Sequence, residues 1–118
     1  MVEWMFDRHG KARIIFDGGK LRSSHGVVIA WIKEPNVYYL GGQHAGWFED
    51  GVLFDSRNHV LGFLRDAEGH LPSRPGLAGT PGMPGMAGTP GHPGFAGTPG
   101  RPGRGGWSSE DIAEYFET

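Results

Sequence analysis

A chain of 118 residues, 37% of them hydrophobic, with 22 Gly, 9 Pro and no Cys, has material for one small core and less scaffold than most enzymes use. Its 11 Lys+Arg against 13 Asp+Glu leave a net charge of -2, without the basic excess of a nucleic-acid-binding surface. The absence of cysteine removes disulfides, thiolate metal sites and a cysteine nucleophile. No basic-then-apolar leader opens the chain, and no apolar run approaches the roughly 18 residues of a membrane span. The expectation is a cytoplasmic protein with neither membrane nor nucleic acid among its partners.

From Met5 to Leu64 the sequence repeats. Gly10, Gly26, Gly42 and Asn58 recur every 16 residues, and these residue types tolerate the positive φ of a tight turn or its bulge. Five residues before each stands an apolar one: Met5, Leu21, Val37 and Leu53. After each turn Ile15, Trp31, Trp47 and Phe63 share a column, next to the column Ile14, Ala30, Gly46 and Gly62. Reversals at Asp17-Gly-Gly19, Lys33-Glu-Pro-Asn36, Glu49-Asp-Gly51 and Asp66-Ala-Glu-Gly69 separate the units. The pattern predicts an all-β domain over 1–71, four hairpins in pseudo-fourfold arrangement, with the large column as rings of its core. A lone hairpin is marginal in water, whereas four sharing a core are stable.

The run Gly42-Gln-His-Ala-Gly-Trp-Phe-Glu-Asp-Gly, continuing through Asp55-Ser-Arg-Asn58 to Gly62-Phe63, resembles the signature of the 4-fold beta flower proteins. Ala45 stands where a larger aliphatic is expected and Asn58 where Gly is expected. The resemblance covers about residues 1–70 and extends to a triplet-patterned tail ending in Trp-Ser-Ser, here Trp107-Ser-Ser109. It implies a fold and carries no activity with it.

Over 72–106 glycine falls on every third position: Gly76, Gly79, Gly82, Gly85, Gly88, Gly91, Gly94, Gly97, Gly100 and Gly103. A nine-residue repeat lies over the triplets, with Leu77, Met86 and Phe95 each preceding Ala-Gly-Thr-Pro-Gly. Pro fixes φ near -65° and Gly suits a crowded axis, so the reading is a polyproline II, collagen-like tail. Strict Gly-X-Y makes the chain itself the expected partner, as a homotrimer. The other readings are a single strand packed on a protein surface and a disordered linker. Within 107–118, Ser108 reads as an N-cap, Asp111 as its capping-box partner and Trp107 as a staple onto Ile112. Ile112, Tyr115 and Phe116 then form the apolar face of a short helix, and its acidic residues are expected to meet Arg101 and Arg104 of a neighbouring chain.

Chemistry is harder to find. The His9 and His25 column continues as Gly41 and Arg57, and no His-Glu-x-x-His or His-x-His occurs, so no metal or cofactor is expected. Glu49, Asp50 and Asp55 stand in and after one reversal, where acidic residues cap their own backbone. With no nucleophile triad or phosphate-cradling loop, the expectation is a non-enzymatic structural or interaction protein whose tail assembles several heads. The alternative is a small-ligand or carbohydrate-binding module with a tethering tail, using Trp4, Tyr38 and Tyr39 as partly exposed contacts.

Overall fold

The computed structural model describes residues 2–69 and 71–117. Eight antiparallel strands follow one another around a closed barrel: β1 (Val2–Phe6), β2 (Ala12–Asp17), β3 (Lys20–Arg22), β4 (Val28–Lys33), β5 (Asn36–Tyr39), β6 (His44–Glu49), β7 (Val52–Phe54) and β8 (Val60–Leu64). The seam between β8 and β1 is the shortest ladder, with Met5 opposite Leu64 and Phe6 opposite Phe63. One short helix, α1 (Ile112–Tyr115), comes last. No helix among the described residues is long and apolar enough to cross a membrane.

The turn chemistry read from the sequence closes the hairpins. Gly10, Gly26, Gly42 and Asn58 have φ of 78, 87, 101 and 64°. Each donates its N–H to the residue three before it: Asp7, Ser23, Tyr39 and Asp55. The Asp7 and Asp55 carboxylates each accept two further N–H groups of their own loop, and the Ser23 hydroxyl accepts two at longer range. Tyr39 has no such side chain and turns to α1 instead. Beyond each turn the register slips once, between Met5/Phe6, Leu21/Arg22, Val37/Tyr38 and Leu53/Phe54. The extra residue of each bulge is Arg13, Ile29, Ala45 or Leu61. A bulge raises local twist and bends a strand, and four of them curl eight short strands into closure.

Alternation decides what fills the barrel. Met5 faces Ile14 across the ladder, Leu21 faces Ala30, Val37 faces Gly46 and Leu53 faces Gly62. This set, with Ile32, Phe48, Ile112 and Phe116, forms the interior cluster. The small column is thus the inner one. Phe16 and Phe48 stack at 5.2 Å inside it, and α1 lowers Ile112, only 1% exposed, into the barrel end bounded by the four bulges.

The large column is buried, but on the outside of the barrel. Trp31, Trp47 and Phe63 are 1, 3 and 0% exposed and belong to two outer clusters shared with Leu77, Phe95 and Trp107. The expectation that they form the inner rings is corrected by the pleat. Trp31 pairs with Lys20 and Trp47 with Asn36, one residue out of phase with the inner set, so they point the other way. What removes them from water is the tail.

Candidate functional site

After β8 the chain circles the barrel. The N–H groups of Ala78, Ala87, Ala96 and Gly105 donate to the carbonyls of Gly10, Gly26, Gly42 and Asn58 at 2.9, 3.1, 2.9 and 3.1 Å. A nine-residue period in the tail is thereby matched to a sixteen-residue period in the barrel. The match explains the composition of the triplets. Their third position is Pro at 81, 84, 90, 93, 99 and 102 and is anything else only at the four residues whose N–H is used, because proline has none to give.

The turn glycines serve the same contact. A Cβ on Gly10, Gly26 or Gly42 would run into the carbonyl oxygen of Gly76, Gly85 or Gly94. At the fourth turn Asn58 takes glycine's place and uses its amide: Nδ2 donates to Pro102 O and Oδ1 accepts from Arg101 Nε, both at 2.9 Å. Other ties lie between these stations. Trp4 Nε1 donates to Pro81 O at 3.1 Å. Arg22, 4% exposed, donates from Nη1 to both Gly26 O and Ala87 O and from Nε to Asp17. Arg101 lies over Trp47 and Phe54, and His92 stands 4.3 Å from Trp31. The circuit closes where Trp107 Nε1 donates to Ser73 Oγ, with Val60 bridged in parallel to Trp107.

Of the residues expected to assemble copies, Leu77 and Phe95 pack on their own barrel, and Met86 stays 38% exposed. The ten tail glycines from Gly76 to Gly103 are exposed, and a Cβ on any of them would meet nothing within 4 Å. Arg101 and Arg104 reach Glu49 of the same chain rather than the C-terminal acids.

The C-terminal segment differs from expectation in its cap. Asp111, not Ser108, is the N-cap, accepting from the N–H groups of Ala113 and Glu114. Ser108 is buried and donates to Asp55 Oδ2 at 2.6 Å. Trp107 packs beside Phe63, so it does not staple to Ile112. The physical reason is competition: the bridge from Trp107 to Val60 and the Ser108 N–H bond to Val60 O hold 107–108 against β8, the chain bends at 109–110, and the helix begins only after that. Tyr115 donates its hydroxyl to Ala45 O and accepts from Ser56 N–H, tying the β6 bulge and the loop before β8 to α1.

Electrostatics reinforce this cap. Arg13, a bulge residue, forks onto Asp111 at 2.6 and 3.0 Å and also reaches Asp7, which raises the guanidinium further. Burial works to raise the Asp111 carboxyl, but the Glu114 N–H, Arg13 and the Ala113 N–H together hold it below the ordinary carboxylate range. The hydrogen bond from Arg22 does the same for Asp17. Both folded values lie under the unfolded ones, so their contribution is complete above about pH 4 and is lost as pH falls through the folded values. Thermal melts of the wild-type chain should therefore show a midpoint that declines from pH 4 to pH 2. The pair Asp17→Asn and Asp111→Asn, which retains the cap, should flatten that decline.

The three proposed ligand contacts are less open than expected. Trp4 and Tyr38 are 7 and 6% exposed, Trp4 beneath Pro81 and Tyr38 against Phe95 at 4.6 Å. Tyr39 is half-buried, 5.7 Å from Tyr115 and 6.0 Å from Phe116, and burial, with the Tyr115 hydroxyl, pushes its phenol up. A cavity of about 340 Å³ remains beside Trp4 and Phe6 under Thr80, Pro81 and Met83. Among the described residues no three His, Asp or Glu side chains converge as a metal site would require.

A larger opening lies at the barrel end that α1 caps. It is a groove of about 930 Å³ with Val27, Val28, Ile29, Tyr39 and Leu40 along it and Phe116 and Glu117 at one side. Val27 and Leu40 are 51 and 44% exposed. The repeat held the signal for them: the residues equivalent to Val27 are Lys11, Gln43 and His59, and those equivalent to Leu40 are Arg8, Ser24 and Ser56.

No curated protein and no solved structure matches this chain. A family model does: 4-fold beta flower protein, over residues 3–116, which takes in barrel, tail and helix alike. The fourfold turn, the closed barrel and that match agree, and the chain belongs to the 4-fold beta flower family.

Proposed function

We propose that this chain is a non-enzymatic structural and interaction protein, a barrel locked by its own tail into a rigid disc that presents its helix-capped end to a partner. The observation that carries the reading is the match of four tail N–H groups to four turn carbonyls. The charged groups best placed for chemistry are already engaged in holding the fold: Asp7 and Asp55 in turns, Asp111 in a cap, Arg13, Arg22 and Arg101 as ties. At polyproline II rise, thirty residues extend about 90 Å, about three-quarters of a circuit of a molecule 38 × 37 × 23 Å and so the span from the first of four turns to the last.

A second reading, in which the tails of three copies form a collagen-like stalk, is favoured by the open glycine face, since that is the face other strands would occupy. It requires the tail to leave the barrel, because a triple-stranded rod is straight and the belt is curved. Light scattering after gel filtration separates the two. The belt gives the mass of one chain, 12.8 kDa; a species of three chains, with Trp fluorescence shifted to the red by uncovered indoles, overturns it.

A further inference from the structure

At the groove beside α1 two neighbouring loops of the repeat turn apolar without an internal reason. Val27 and Leu40 occupy loop positions that are polar in every other unit, and both remain largely exposed. Tyr39 replaces the Asp or Ser that braces the other loops, and its ring extends the same surface toward Phe116. The result is a continuous apolar strip across two neighbouring loops and the end of the helix. Exposed aliphatics cost solubility, and a contiguous group of them marks a contact surface.

Charge selects among occupants. Glu110, Glu114 and Glu117 are exposed along the helical segment, and among the described residues none of them is in an ion pair. Asp111 is already held by Arg13. The groove lining contains no Lys or Arg. Glu117 is the one carboxylate in that lining, so a second copy placed face to face would bring like charges together, which is unfavourable. We infer that the groove docks a segment of another protein that offers adjacent aliphatic or aromatic side chains to Val27, Tyr39 and Leu40, and Lys or Arg to Glu117.

This deepens the interaction reading and rests on it, but the two fail separately: chain mass tests the belt, and side-chain methyl shifts test the groove. The experiment is a titration of the full chain with an amphipathic Leu/Lys peptide, with a Leu/Glu peptide of the same pattern as control, followed by methyl NMR. The Leu/Lys peptide should move the methyl signals of Val27 and Leu40. The variant Val27→Lys with Leu40→Ser, which installs residues already used at equivalent loops, should weaken binding about tenfold or more at an unchanged melting midpoint. Glu117→Gln should weaken it as well and reduce its salt dependence. Signals that do not move, equal binding by the loop variant, or equal binding of the Leu/Glu peptide would overturn the proposal. So would concentration-dependent shifts of Val27 and Leu40 without peptide, accompanied by a doubled mass, since the occupant would then be a second copy.

Discussion

Gly26→Ala is expected to destabilise this protein by about 2–3 kcal/mol, since two costs coincide at one atom. The residue has φ of 87°, where an L side chain is strained by about 1 kcal/mol or more. Its new Cβ would also strike Gly85 O, forcing the tail away and breaking the Ala87 N–H bond to Gly26 O, worth about 1 kcal/mol net. Gly18→Ala is the control. That glycine has φ of 61° and nothing within 4 Å of a built Cβ, so it bears the backbone cost alone. Urea unfolding of the two variants should differ by about the value of the lost contact. Equal losses would mean that the tail contributes nothing at that turn.

A pair of tail substitutions should separate belt from stalk with opposite signs. Ala87→Pro makes the triplets more collagen-like, since Pro is the commonest residue at that place in this tail. On the barrel it removes the N–H that Gly26 accepts at 3.1 Å and puts ring carbon against the same oxygen, for an expected loss of about 2 kcal/mol. Gly88→Ala reverses the test. A Cβ at Gly88 enters open space, so a belted chain should change by no more than about 0.5 kcal/mol. A triple helix would be broken by that methyl group. Melting midpoints and solution mass of both variants decide the matter: a stable Gly88→Ala beside a weakened Ala87→Pro supports the belt, and the reverse order supports the stalk.

Much of the barrel was legible because its constraints are local. A turn that needs positive φ admits Gly or Asn, so Gly10, Gly26, Gly42 and Asn58 announce four reversals whatever surrounds them. Met5, Leu21, Val37 and Leu53 recur as apolar residues at a fixed distance before those turns, and the structure places them in the interior. Val27 and Leu40 depart from the repeat in the sequence, but only their exposure shows that nothing inside the fold requires them.

The sequence by itself determined the period of each half: sixteen residues for the turns, nine for the tail, and the places where proline is withheld. It did not determine which face of each strand looks inward. Alternation assigns residues to two faces, and it names the inner one only when the other is polar. Here both are apolar, because Trp31, Trp47 and Phe63 are covered by the tail while Ala30, Gly46 and Gly62 line the interior. The destination of the tail was likewise a tertiary decision. Its N–H groups at 78, 87, 96 and 105 find acceptors on turns 68, 61, 54 and 47 residues earlier in the chain, and only closure of the barrel brings those four carbonyls into one line. The helix cap moved from Ser108 to Asp111 on the same principle. Local propensity pointed to Ser108, and the buried bond from Ser108 to Asp55 with the fork of Arg13 onto Asp111 moved the cap to Asp111.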